Sequence, residues 1–144
     1  MPYVMENLEL LLQLAGWSQV VLILGSLGIP RVLGWQDKLA PVSTLIRQMF
    51  WVYSFYIWST NLCFGLLSAL GAALLLDGSP LATCVTGFIL GYWLLRMAIQ
   101  WLYFDISEIP ATAFNTAARW LLELLFLALT VIYGLCFAHN LGWL

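Results

Sequence analysis

Charged residues are scarce in this chain. Only 8% of its 144 residues are charged, whereas a soluble domain carries about 25%. Hydrophobic residues make up 63%, and the mean hydropathy is +0.95. A soluble domain of this length buries only about 70% of its chain's surface, so these few polar residues could not cover the remainder. The composition therefore excludes a water-soluble monomer and predicts an integral membrane protein.

Positive charge is lacking as well. Five Lys and Arg residues stand against seven Asp and Glu residues, which gives a net charge of −2. The five are scattered and do not form the basic stripe that binding to a phosphate backbone requires. We therefore predict no nucleic-acid partner. Membrane lipids, other membrane subunits and self-association are the expected contacts.

Motifs for catalysis and metal binding are missing. The chain has a single histidine and three cysteines without a CxxC spacing, and it has no Gly-rich phosphate loop, nucleophile elbow or His-Glu metal motif. These absences predict no catalytic residue and no metal site, and they leave any cofactor unspecified. Cys84 and Cys136 are expected at the same end of two helices, so a disulfide between them stays open.

Four long apolar runs dominate what the chain does contain. A segment in hydrocarbon must satisfy its own backbone, and these runs far exceed the roughly ten alternating residues of a barrel strand, so they predict α-helices. Gly28, Gly78 and the prolines mark the breaks. We predict one all-α domain over 1–144, an antiparallel bundle of four transmembrane helices. Its spans are expected at 8–27, 49–76, 81–104 and 120–137.

The positive residues predict the orientation, because they favour the cytoplasmic ends of membrane helices. Arg31, Lys38 and Arg47 flank the first connector, Arg119 lies near the third, and Arg96 lies in the same half of helix three. All five then fall on one side. We therefore expect both termini on the non-cytoplasmic side of a multi-pass protein, in a bacterial-type inner (plasma) membrane.

Two charges inside the apolar runs are the most informative candidates for a site. A charge within hydrocarbon costs about 2.5–3.5 kcal/mol on insertion scales and usually marks a partner or a pathway. Arg96 and Glu123 reach a similar depth if the arginine extends toward the interface, which predicts an ion pair between helices three and four. The alternative pairs Glu123 with Arg119, one turn back on its own helix.

Helical spacing adds further polar and aromatic side chains to this region. Gln100 shares the face of Arg96, and Asn61 lies on a polar stripe of helix two. Trp58, Tyr92 and Trp93 lie deeper than the interfacial aromatic residues. Together these residues predict a polar pocket open toward the cytoplasm and available to a ligand. Interhelical hydrogen bonding without a cavity is the alternative interpretation.

Small residues on helix two indicate where helices approach closely. Gly65, Ser68 and Ala72 lie on one face, and we expect this face to pack tightly against helix three because the connector between the two helices is short. Close packing and short connectors favour an accessory or scaffold subunit of a membrane complex without enzymatic activity. Two alternatives stay open: an oligomeric carrier or channel for a small solute or ion, and a membrane enzyme acting on a lipid or quinone.

The predicted orientation is tested with topology reporters. A reporter fused after Leu144 should report the non-cytoplasmic side, and one inserted near Asp37 the cytoplasmic side, because the positive residues cluster on the side of Asp37. The opposite result at both sites would reverse the orientation and leave the number of spans unchanged.

Overall fold

The computed structural model of the protein describes residues 2–105, 107 and 109–144. The regular elements in this part of the chain are helical, which confirms the prediction of an all-α fold. In chain order they are α1 (Pro2–Ser26), α2 (Ile29–Val32), α3 (Trp35–Leu39), α4 (Thr44–Leu70), α5 (Ala72–Leu75), α6 (Pro80–Leu102) and α7 (Ala113–Asn140).

Three helical segments are long and apolar enough to cross a membrane. They are Tyr3–Val32, Pro80–Leu102 and Ala113–Asn140, with mean hydropathies of 1.7, 1.5 and 2.3. Helix α4 is also long but falls short of this measure, since its sequence mixes aromatic, hydroxyl and amide side chains with its aliphatic ones. Three of the four predicted spans therefore correspond to helices with the length and apolarity of a membrane span, and α4 does not reach that apolarity.

The second predicted span contains a break. We expected one continuous helix as far as Leu76, but α4 ends at Leu70 and Gly71 has φ −118° and ψ 26°, outside the helical region. The short helix α5 then completes the segment. A Gly within an apolar run weakens a helix because it has the largest conformational freedom to lose. Gly71 therefore explains why the helix stops before the predicted boundary.

The long helices form two hairpins, α1 with α4 and α6 with α7, and α1 packs against α7 to join them. The closest approach within the first hairpin is at Gly16 and Gly65. A Cβ atom built on Gly16 would lie 2.6 Å from the carbonyl oxygen of Gly65, so only glycine fits there. Gly65 on the small-residue face thus packs against α1, and Ser68 bonds to α7, although we expected this face against helix three. The segment that begins at Ala72, α5, contacts both α6 and α1.

Burial is concentrated at one end of the bundle. We call this the terminal end; it contains α5, the N-terminal end of α6 and the C-terminal end of α7. We call the opposite end, which contains α2 and α3, the connector end. The buried residues of α4 begin at Asn61, and those of α7 begin at Phe126. Residues 44–60 and 113–125 include none. The bundle therefore has a packed half and an open half.

Replacing Gly16 with Ala should destabilise the protein. The added methyl group would collide with the backbone of α4 at Gly65 and Ala69, and overpacking of this kind costs about 1–3 kcal/mol. Thermal or denaturant unfolding in detergent measures the effect. Gly25→Ala is the matched control on the same helix, because a Cβ at Gly25 meets no atom within 4 Å. Equal stability of the two variants would show that α1 and α4 do not meet through these glycines.

Candidate functional site

One tyrosine hydroxyl joins three helices in the packed half. The Nε2 of Gln19 on α1 donates to the hydroxyl oxygen of Tyr133 on α7 at 2.6 Å, and the Ser68 hydroxyl on α4 lies within hydrogen-bond distance of the same oxygen. All three side chains are fully buried. Because a phenol has one donor and acceptor lone pairs, it can accept from Gln19 while it donates to Ser68. This cluster links the two hairpins at their centre.

A second polar cluster lies at the terminal end. The Nδ2 of Asn140 donates to the carbonyl oxygen of Leu75 at 2.7 Å and to the Thr86 hydroxyl at 3.2 Å. Its Oδ1 accepts from the backbone N–H of Gly78 at 3.2 Å. The amide of Asn140 therefore uses both its donor and its acceptor groups to hold the close of α7 against the turn between α5 and α6.

The turn itself is held by its own side chains. The carboxylate of Asp77 accepts from the backbone N–H of Ser79 at 2.8 Å, and hydrogen bonding with Ser79 lowers the pKa of Asp77 below its ordinary value. The Ser79 hydroxyl accepts from the N–H of Ala82 and caps α6, which has Pro80 in its first turn. These are the residue types that favour a helix start, and they account for the sharp reversal.

Three of the residues predicted to line a pocket are gathered between helices instead. The Nδ2 of Asn61 donates to the hydroxyl of Tyr92 at 2.9 Å and so bridges α4 and α6. Trp93 is 2% exposed and stacks on Phe126 with ring centroids 5.3 Å apart. The indole N–H of Trp93 and the Oδ1 of Asn61 have no hydrogen-bond partner among the described residues. The arrangement corresponds to interhelical contact and not to a polar lumen.

The predicted ion pair between Arg96 and Glu123 is not formed. Arg96 donates to the side-chain oxygen of Gln100 at 3.1 Å, and its guanidinium carbon lies 5.0 Å from the ring centroid of Phe126. Glu123 pairs with Arg119, one turn back on α7, with Nε and Oε1 3.7 Å apart. Glu123 thus has its partner on its own helix, where no interhelical alignment is required. Arg96 has Gln100 on its own helix and the aromatic face of Phe126 on α7, which attracts the desolvated cation.

Trp58 lies elsewhere, in a cleft at the connector end. This connector cleft, bounded by the close of α1, by α2, by α3 and by α4, has a volume of about 630 Å³. Arg31, Gln36 and Asp37 line it from the connector, and Trp51 and Trp58 line it from α4. The predicted pocket residues Arg96, Gln100 and Glu123 are not part of its lining. A cleft is thus present at the expected end, but among these predicted residues only Trp58 lines it.

The connector turns back toward α4 at Gly34 and is anchored there by an aromatic contact. Gly34 has φ 62°, a conformation that glycine adopts without strain. The Trp35 ring lies edge-on to Phe50 with centroids 5.0 Å apart, and 6.0 Å from the ring of Trp51. The fold of this connector therefore creates the cleft. The signal for this cleft in the sequence is the pair of opposite charges in the connector, Arg31 and Asp37.

Gln19 is a functional candidate that the sequence analysis does not contain, whereas Cys84 and Cys136 are among its predictions. An uncharged amide in the first apolar run was not recognised as a candidate, although a polar side chain there needs a partner in hydrocarbon. Cys84 and Cys136 are free thiols, as is Cys63, so the disulfide left open by the sequence is not formed.

Comparison of the chain with protein-family models, with curated proteins and with solved structures finds no match.

Tyr133→Phe should weaken the junction between the hairpins. Removal of the hydroxyl leaves the buried groups of Gln19 and Ser68 without their shared partner, and an unsatisfied buried polar group costs about 1–3 kcal/mol. Unfolding in detergent measures the loss. Tyr56→Phe serves as the control, because this substitution also removes a tyrosine hydroxyl but at a side chain that is 60% exposed. If both variants unfold alike, the Tyr133 hydroxyl does not hold the hairpins together.

Proposed function

We propose that the chain is a four-span integral membrane protein, with both termini on the non-cytoplasmic side of a bacterial-type inner membrane, and that it serves as an accessory or scaffold subunit. In this arrangement α4 is the fourth span. Its length of 27 residues corresponds to about 40 Å, more than the roughly 30 Å of a hydrocarbon core. The apolarity of α4 is lower than that of the other long helices, and its packing against α1 compensates for this because it covers part of its surface with protein.

The observation that carries this proposal is the uncovered segment of α4. Residues 44–60 include no buried residue, although α4 is the long helix that falls short of the apolarity of a membrane span. Tyr53 and Tyr56 on this segment are 55% and 60% exposed. A comparatively polar helix is more stable against protein than against lipid tails, because its polar groups can find partners there. A helix of a partner subunit would supply that cover.

The polar side chains of the packed half support a structural role as well. Gln19, Ser68 and Tyr133 bond to one another, and Asn140 bonds to the turn preceding α6. Side chains that bond to one another across helices give the bundle specificity, and these bonded groups are not available to a passing solute. This arrangement favours the scaffold over the carrier.

The proposal is tested by site-specific crosslinking in the native membrane. A photoreactive amino acid at Tyr56 should form an adduct with one foreign membrane subunit, and the same subunit should co-purify stoichiometrically in mild detergent. The matched control is a crosslinker at Val21 of α1, a position that is 68% exposed and on another helix.

Substitution provides the second arm of this test. Tyr53→Ala combined with Tyr56→Ala should remove the partner subunit while the chain keeps its melting temperature, because both side chains lie outside the core. Adducts of the chain with itself would contradict the scaffold role and would favour a homo-oligomeric carrier or channel. Adducts with lipid alone at both positions would contradict a partner on α4.

A further inference from the structure

The connector cleft contains both signs of charge. Arg31 and Asp37 line it together, and in the part of the chain that the structure describes neither side chain lies within ion-pair distance of an opposite charge. Both side chains are exposed. The volume of about 630 Å³ falls within the roughly 300–1,000 Å³ typical of sites for small ligands. The cleft therefore offers one anionic and one cationic group to a bound molecule.

The wall opposite these charges is aromatic. Trp51 and Trp58 are seven residues apart on α4 and so lie on one face, about 10 Å from each other along the helix. Leu27, at the close of α1, completes an apolar section of the lining. Tryptophan favours the boundary between headgroups and hydrocarbon, where its ring contacts apolar chains and its N–H contacts polar groups. The cleft is thus polar toward the connector and apolar along α4.

We propose that the connector cleft binds a zwitterionic phospholipid with a primary ammonium group, of the phosphatidylethanolamine class. The guanidinium of Arg31 binds the phosphate, for which its planar fork is suited, and the carboxylate of Asp37 accepts from the ammonium. An acyl chain lies against Leu27 and Trp58. The inference rests on the proposed membrane location of the chain but not on its scaffold role.

The charge pattern decides between lipid classes. An anionic headgroup such as phosphatidylglycerol would gain the contact with Arg31 but would be repelled by Asp37. A choline headgroup has no N–H to donate to the carboxylate, so it loses that hydrogen bond although its cation can still face an aromatic ring. A primary ammonium with an adjacent phosphate matches both charged side chains. The apolar section of the cleft distinguishes the lipid from the free headgroup.

The test measures which lipid the full chain retains. The protein is reconstituted into nanodiscs with equal amounts of phosphatidylethanolamine, phosphatidylcholine and phosphatidylglycerol, and its bound lipids are identified by native mass spectrometry after transfer to detergent. We expect one retained phosphatidylethanolamine, enriched about tenfold over phosphatidylglycerol, as one charge-assisted hydrogen bond allows. Asp37→Asn should abolish this preference, and Arg31→Gln should lower the retention of all three lipids.

Charge-matched controls separate the cleft from general electrostatics. Lys38→Gln and Glu6→Gln remove the same charges at exposed positions outside the cleft lining and should retain the lipid as the natural chain does. Melting temperatures of all four variants establish that they are folded. The proposal would be overturned if the natural chain retained the three lipids in the ratio in which they were supplied. It would also be overturned if the control variants lost bound lipid as much as the Arg31 and Asp37 variants.

Two further outcomes identify the source of failure. A chain that does not enter nanodiscs and is released from membranes by carbonate would refute the proposed membrane location, whereas a chain that enters but shows no lipid preference would refute only the headgroup site. Free phosphoethanolamine is added as a competitor. Displacement of the lipid at equal molar concentration would show that the cleft binds a soluble zwitterion, and this would overturn the assignment to a phospholipid.

Discussion

The hydroxyl of Tyr133 is the contact on which the arrangement of the helices depends. It forms hydrogen bonds with Gln19 on α1 and with Ser68 on α4, so a single oxygen connects both helices of the first hairpin to α7 of the second. Such a contact is possible because Gly16 and Gly65 let α1 and α4 approach until their polar side chains share one site. In an interior without water, the alternative to this cluster is three unsatisfied groups, which makes other pairings of the helices unfavourable.

The helices are packed more closely toward the terminal end than toward the connector end. From Tyr133 toward the terminal end, the helices are joined again by Asn140, which binds the turn that precedes α6. Toward the connector end, residues 44–60 and 113–125 contribute no buried residue. The connector between α1 and α4 folds against α4 through Trp35, and the cleft beneath it is a consequence of that fold. Packing and candidate binding surfaces are thus segregated to opposite ends.

Arg96 and Glu123 illustrate how other partners replace the expected ion pair between helices. Depth along the helices alone predicts a pair between Arg96 and Glu123, and depth is a one-dimensional property of the sequence. The structure places the guanidinium of Arg96 beside Gln100 and the ring of Phe126, and it places Glu123 beside Arg119. Depth along a helix follows from residue number, but the direction of a side chain around the helix relative to its neighbour depends on how the two helices are rotated. That rotation is a property of the packed bundle.

The sequence by itself determined the all-α fold, the apolarity of three helices and the start of α6, because backbone hydrogen bonding, hydropathy and the chemistry of Ser79 and Pro80 act over a few neighbouring residues. It also showed which positions are costly in hydrocarbon. Only the tertiary structure decided that the small-residue face of α4 meets α1, that Gln19 has Tyr133 as its partner, and that Arg31 and Asp37 share a cleft with Trp58. These relations join residues far apart in the chain, and they depend on the angles and rotations at which whole helices pack, which no local pattern of residues specifies.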